Sequence, residues 1–131
     1  KIYLGNTFPT RDFNYVDDIC NAYIKVLKKN NIFGQTFNLG TGYEISIKNL
    51  ALLIASLMGR KIKINTISIR HRPKKSEVDR LCASSSKAKR LINWKPKFSG
   101  KSGLEKGLIK TIEWYEKNHF IFDEENNNYV I

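Results

Sequence analysis

The side chains with chemical reach in this sequence are basic rather than nucleophilic. Twenty-three Lys and Arg residues stand against twelve Asp and Glu, a formal net charge of +11. Such a balance can serve nucleic acid, an acidic membrane surface or a phosphorylated small ligand. Lysines dominate it and scatter along the chain, and Asn and Ile are abundant too, so a general drift of composition explains most of the charge. Arginine is the sharper tool. A guanidinium stays charged, and its planar fork pairs with phosphate oxygens. Arg11 stands before Asp12-Phe13, and Arg72 lies between His71 and Pro73. Cys20 and Cys82 lie far apart with no metal-like neighbours, so reduced buried thiols are expected rather than a disulfide or a zinc site. His71 reads as a solvated histidine. No metal ligand is assigned.

No aromatic stacking platform is interleaved with the Lys87–Arg90 cluster, so that cluster is expected to solvate a short helix and nucleic acid is not an expected partner. No apolar run approaches the ~20 residues that a membrane helix needs. The start, Lys1-Ile2-Tyr3-Leu4, is no secretion signal, so a cytoplasmic protein without a membrane partner is expected. The 131 residues suit one domain or the trailing part of a larger one. The chain opens inside a strand-like run with no initiator Met, from which a piece of a longer protein is expected.

Helix and strand signals alternate, which predicts a mixed α/β arrangement. Residues 2–4 and 11–16 read as short extended segments. Asp17 or Asp18 can cap a helix whose apolar positions Ile19, Ala22, Tyr23, Val26 and Leu27 share one face. Thr36-Phe37-Asn38-Leu39 reads as a short strand, and Gly40-Thr41-Gly42 as a turn needing close backbone approach or positive φ. Ser46 caps a second helix with Ile47, Leu50, Ala51, Ile54 and Met58 on its buried stripe, and Gly59 ends it. The alternation over 61–69 predicts a half-buried strand. A charged loop over 70–82 leads to a short helix over 87–92, stopped before Pro96. The last helix covers 103–118, with Trp94, Trp114 and Tyr115 as packing residues. The Asn-rich, acidic end is expected to fray or pack loosely.

The order of these segments is specific where each alone is weak. Thr10-Arg11-Asp12-Phe13-Asn14-Tyr15-Val16-Asp17-Asp18 precedes the first helix; Phe37-Asn38-Leu39-Gly40-Thr41-Gly42 and Ile45-Ser46-Ile47 precede the second. Then come Arg70-His71-Arg72-Pro73, Ser86-Lys87-Ala88-Lys89-Arg90-Leu91-Ile92-Asn93-Trp94-Lys95-Pro96, and Gly103-Leu104-Glu105-Lys106-Gly107-Leu108. Over roughly residues 3–117 this series resembles the carboxyl-terminal part of extended short-chain dehydrogenase/reductases that act on nucleotide sugars. Pro9 to Phe13, Arg72-Pro73 and Ser76-Glu77-Val78-Asp79-Arg80 look closest to the UDP-N-acetylglucosamine 4,6-dehydratase group.

The resemblance implies an α/β fold: the substrate-binding portion of an extended Rossmann-type enzyme, lacking most of the nucleotide-binding domain. Residues 1–45 would complete the sheet on the Rossmann side and begin the substrate domain. Residues 46–118 would form the small substrate-binding domain, and 119–131 an acidic tail. It implies transient oxidation by NAD at C4 of the sugar, then loss of water in a dehydratase or return of hydride to the other face in an epimerase. The family's catalytic parts are a Gly-rich turn for NAD, a Ser/Thr, and a Tyr and Lys four residues apart. Neither that turn nor a Tyr-x-x-x-Lys pair occurs here, so this chain is expected to hold no catalytic residue, and NAD would be bound by the missing amino-terminal domain.

What remains is recognition of a nucleotide-diphosphate sugar. By resemblance, Arg11 and Arg72 meet the diphosphate or the adjoining sugars, Phe13 the nucleoside or the core, Asn38 the nucleotide or its own turn, and Glu77 and Asp79 the sugar or ribose hydroxyls. Ion pairs, Arg11 with Asp17 or the acids with Lys74, Lys75 or Arg80, are the alternatives. The expected partners are the nucleotide sugar, the missing Rossmann domain and, in the whole enzyme, a second copy. A 4-epimerase, or a basic module for phosphate ligands or nucleic acid, are the rival readings.

Overall fold

Strands of two or three residues carry this fold, and each exists because a neighbour offers it a ladder. The computed structural model describes residues 1–71 and 76–118. Along the chain run β1 (Ile2–Leu4), β2 (Thr10–Asp12), α1 (Val16–Leu27), β3 (Glu44–Ser46), α2 (Ile47–Leu57), β4 (Ile64–Thr66), β5 (Arg80–Leu81), α3 (Ser86–Ile92) and α4 (Gly100–Lys117). This is the mixed α/β order that the segment signals predict. β1 and β4 form one parallel pair, with Tyr3 opposite Asn65. The other sheet has the order β3-β2-β5, antiparallel between β2 and β3 and parallel between β2 and β5.

Several boundaries differ from expectation for physical reasons. The alternating run over 61–69 shortens to β4 because β1 supplies only three residues; beyond it the Ile67 amide bonds the Leu4 carbonyl and the chain winds into a 3-10 turn at Ser68–Arg70. Thr36–Leu39 lies along no strand among the described residues, so it forms no ladder. Asp17 and Asp18 do not cap α1. The N-cap is Tyr15, and both acids sit inside the first turn. Ser46 does cap α2, its hydroxyl accepting from the Asn49 amide at 3.2 Å, and Gly59 follows that helix at φ +65°. α4 starts three residues early, at Gly100. Cys20 is exposed rather than buried, and Cys82 is half-buried.

The core is centred where α1 meets α3. Ala22, Ala88, Ile92 and Trp94 are buried together, and Val26, Ile32, Phe37, Leu39 and Leu91 pack around them. The Trp94 indole N–H donates to the Asp18 carbonyl at 2.9 Å, so its polar tip is satisfied in the interior. α4 closes over Phe98 and Tyr15, whose rings lie 4.4 Å apart. Gly103 and Gly107 make that approach possible: a Cβ at 103 would collide with the Phe98 main chain, and one at 107 would press on the Tyr15 ring at 3.4 Å. Trp114 and Tyr115, read as packing residues, are about half exposed. The acidic stretch 119–131 lies outside the described residues.

Candidate functional site

β2 separates two kinds of polar chemistry because side chains alternate across a strand. Its register sets Arg11 opposite Ile45 and Leu81, and Thr10 opposite Ser46 and Arg80. On the Arg11 face, the guanidinium donates through Nη1 to the Thr10 carbonyl at 2.8 Å and through Nη2 to Glu77 Oε1 at 3.5 Å. The two side chains are only 20% and 15% exposed, so the pair is largely withdrawn from water. The acid that meets Arg11 is therefore Glu77, and not Asp17.

On the other face, Arg80 Nε donates to both Glu44 oxygens at 2.8 Å, and the Thr10 hydroxyl adds a bond at 3.0 Å. The Arg80 hydrogen bond holds the Glu44 carboxyl below its ordinary range, and Glu44 in turn raises Arg80. A carboxyl whose folded pKa is depressed stabilises the fold above its unfolded pKa and loses that contribution as pH falls through the folded one. Glu44→Gln is thus expected to melt below wild type at neutral pH, with the two melting curves converging in acid as the folded-state carboxyl protonates. The gap is expected to be small, since the pair is solvent-screened. Thermal melts across that range check it, and a gap that persists in acid would contradict the ion pair as its cause.

Asp12 ties the site together. One oxygen accepts the Thr41 amide at 3.0 Å and the Thr41 hydroxyl at 2.6 Å; the other accepts the Gly42 amide at 2.9 Å and the Ala83 amide at 3.3 Å. This fixes the turn that the Gly-Thr-Gly spacing predicts, and each glycine has its own reason. A Cβ at Gly40 would lie 2.5 Å from that of Ala83, and Gly42 has φ +73°.

The remaining predicted residues are spread around this centre. Phe13 is half-buried and, with Asn14, Tyr15, Leu50, Leu104 and Leu108, lines a cavity of about 140 Å³ against α4. Asn38 is exposed, next to Leu39, whose carbonyl accepts from Asn14 Nδ2 at 3.5 Å. Asp79 is exposed, and its main-chain carbonyl takes the Thr10 amide at 2.8 Å. Arg72 lies outside the described residues, as do Lys74 and Lys75. His71 is exposed as expected. Arg70 clamps the 3-10 turn to β1, donating to the Tyr3 carbonyl at 2.9 Å. So Arg11 and Glu77 are brought into contact, with Asp79 two residues further along the same segment.

Sequence reasoning passed over Asp12 and the Glu44–Arg80 pair, and gave Asp18 only the role of a possible helix cap. Asp12 carried a usable signal: an aspartate beside a strand, with a Gly-Thr-Gly turn downstream whose amides need acceptors. Asn14 was missed too, and its Oδ1 is buried with no hydrogen-bond partner among the described residues.

Among the described residues, the glycines of α4 do not fit the pyrophosphate of a dinucleotide. Gly100, Gly103 and Gly107 are the densest glycines, yet they lie within α4, with Phe98 and Tyr15 filling the space against the latter two. They leave no cradle for a pyrophosphate. Among the described residues no His, Cys, Asp and Glu cluster could hold a metal ion, and no helix is long and apolar enough to cross a membrane.

Known proteins share this arrangement. UDP-glucuronate 4-epimerase of Thermodesulfobacterium geofontis is 35% identical over 119 residues, covering 90% of this chain and 33% of that protein. The solved dTDP-glucose 4,6-dehydratase of Bacillus anthracis, in complex with NAD, superposes with a TM-score of 0.76 at 30% identity over 92% of this chain and 36% of its own. UDP-glucose 4-epimerase of Thermotoga maritima, solved with UDP-glucose, gives 0.76 at 28% identity over 91% of this chain and 36% of its own. The chain thus spans about a third of the length of the relatives it matches. A family model described as GDP-mannose 4,6 dehydratase matches residues 1–107. On that match, the chain belongs to the GDP-mannose 4,6 dehydratase family, within the extended short-chain dehydrogenases/reductases.

Proposed function

We propose that this chain is the sugar-nucleotide-binding portion of an NAD-dependent sugar-nucleotide 4,6-dehydratase that acts in the cytoplasm, and that chemistry and NAD binding reside in other residues of a longer polypeptide. The observation that carries the reading is Arg11. A family member holds a guanidinium on a three-stranded sheet, with N–H groups left over after Thr10 and Glu77 are served. Those donors suit the oxygens of a diphosphate, for which Arg72 would supply a second guanidinium. Phe13 would support the nucleoside, Asn38 its turn, and Asp79 and Glu77 the hydroxyls of ribose or sugar. Residues 46–118 would make up the substrate domain. Residues 1–45 would finish the dinucleotide-binding sheet.

α1 supports that division. Val16, Cys20, Tyr23, Ile24 and Leu27 are exposed at the spacing of one helical stripe, opposite buried Ala22. Leu27 is 84% exposed and Phe33, just beyond, 85%. An apolar stripe of this extent suits a second packed layer, and Thr36–Leu39, without a ladder of its own, would add to the sheet of that layer.

The 35% identity to a UDP-glucuronate 4-epimerase favours epimerisation as the second reading. The binding roles are the same in both.

The test is a titration of wild type and Arg11→Ala with UDP, dTDP and GDP by calorimetry. At least one should bind, and Arg11→Ala should weaken it about ten- to a hundredfold, the value of one charge-assisted hydrogen bond. Equal affinity in the variant, or no binding of any of the three, would remove the site.

A further inference from the structure

α2 and α4 leave an apolar groove between them. Leu50 shares the cavity beside Phe13 with Leu104 and Leu108, whereas Met58, about two turns further on, shares the groove with Ile112 and Tyr115. The two helices therefore run in the same sense and finish near one another. Ile54 and Met58 on α2, and Leu108, Ile112 and Tyr115 on α4, recur at the spacing of one stripe per helix and border a volume of about 270 Å³. Ile54, Leu108 and Ile112 are half-buried, while Met58 and Tyr115 are about half exposed. Among the described residues, Thr111 and Glu116 are its other lining side chains. An apolar valley between two packed helices is suited to an apolar segment laid along it.

Residues 119–131 continue from α4, and their sequence matches the groove in place, polarity and charge. Asn118 caps the helix, and Phe120-Ile121-Phe122 begins two residues later. Four extended residues span about 13 Å. The helix from Glu116 back to Leu108 measures about 12 Å. A chain that doubles back after Asn118 thus brings both phenylalanines over the groove. Asp123-Glu124-Glu125 come next, and the segment holds none of the 23 basic residues. On the α2 side, the chain leaves the helix through Gly59 into Arg60 and Lys61, both exposed and in no ion pair among the described residues. Glu116 stands on the α4 side, so the three acids are drawn toward α2 and its two cations.

We propose that the groove between α2 and α4 is the docking site of this chain's own segment 119–131, with Phe120 and Phe122 against Ile54, Met58 and Ile112, and Asp123–Glu125 facing Arg60 and Lys61. The tether decides between this occupant and a second copy. A short flexible connection holds its segment at an effective concentration on the order of millimolar, which a separate molecule does not reach at ordinary protein concentrations. The exposed stripe of α1 has no such candidate beside it, and it remains assigned to a second packed layer. Docking joins the ends of two helices of the substrate domain and takes Met58 and Tyr115 out of water. It does not involve Arg11 and stands apart from the nucleotide reading above.

Met58 is the one methionine of the sequence, so its Cε methyl gives a single NMR signal in 13C-methionine-labelled protein. Through-space transfer from that methyl to phenylalanine ring protons is expected. It should vanish in the double variant Phe120→Leu and Phe122→Leu, which keeps apolar side chains and removes the rings. Cleavage by chymotrypsin after Phe122 reads the same contact, because it tracks the undocked population. Met58→Glu, which sets a carboxylate in the groove, should speed that cleavage about tenfold, and Met58→Gln serves in its place should the amide spectrum of Met58→Glu depart from wild type. Arg60→Glu together with Lys61→Glu should speed it about two- to fivefold, as expected of solvent-screened pairs. No transfer to Phe120 or Phe122, or cleavage equally fast in wild type and the Met58 variant, overturns the docking. Transfer found only between differently labelled copies gives the groove to a second molecule and overturns it as well. None of these readouts depends on Arg11, so their failure leaves the nucleotide site standing.

Discussion

Asp18→Ala is expected to cost about 3–5 kcal/mol and to lower the melting temperature by roughly 10–20 °C, while Asp17→Ala, one residue away, should cost less than about 1 kcal/mol. The two acids are chemically identical and share the first turn of α1, so burial and partners decide the difference. Asp18 is 2% exposed. One oxygen accepts the Lys97 amide at 2.8 Å and the other the Phe98 amide at 2.9 Å, each a charge-assisted bond of about 1.5–3 kcal/mol. The free amides at the start of α1 add a favourable field for the buried charge. Its removal strands two main-chain N–H groups in the segment that carries Trp94 into the core and Phe98 under α4. Asp17 is exposed and contributes only through the helix dipole. Thermal melts of the two variants side by side decide it: an Asp18→Ala curve within a few degrees of wild type would mean that the 94–98 segment is held by something else.

The same pair marks what the sequence could reveal. Helices were legible because apolar residues recur at the period of one face, and α2, α3 and α4 stand within three residues of where that period puts them. Which face points inward was less legible. Ile19, Ala22, Tyr23, Val26 and Leu27 read as a single buried stripe, yet Ala22 is buried while Tyr23 and Leu27 are exposed. α1 is apolar on more than one side, and periodicity cannot tell which side this chain itself covers. Strands of three residues were harder still, since each depends on a partner distant in sequence. Tertiary pairing, and not alternation, trims 61–69 to β4 and leaves Thr36–Leu39 without a ladder.

The site divides the same way. Arg11 could be picked out from its own motif because a guanidinium before Asp and an aromatic residue is a local pattern. Its neighbour Glu77, 66 residues on, could not, because their contact follows from the β2–β5 register. By sequence, Glu77 and Asp79 are candidates for ligand hydroxyls, with ion pairs to Lys74, Lys75 or Arg80 as the alternative. In the structure Arg80 instead takes Glu44 on the opposite face of β2, an outcome fixed by alternation once three strands align.

Asp12→Asn tests how far that sheet depends on one side chain, and it should cost about 2–4 kcal/mol. The substitution keeps size and shape and changes only which atoms can accept. Asp12 directs one oxygen at the Thr41 amide and hydroxyl, and the other at the amides of Gly42 and Ala83. An amide side chain can satisfy one of these sides, but its NH2 then faces donors on the other. With the NH2 toward Thr41, whose hydroxyl can turn to accept, one main-chain N–H loses its acceptor; with the NH2 toward Gly42 and Ala83, two do, where Gly40 brings the 40–42 turn against Ala83. The consequence should be local before it is global. Exchange of the Thr41, Gly42 and Ala83 amides should accelerate by about an order of magnitude or more, while amides within α4 change only as far as overall stability does. Arg11 precedes Asp12 on β2, so loosening this junction should also weaken anion binding without removing any group that touches the ligand. If those three amides keep wild-type protection in Asp12→Asn, the turn and β5 are joined to β2 by the ladder alone, and Asp12 is not the joint on which the Arg11 face is built.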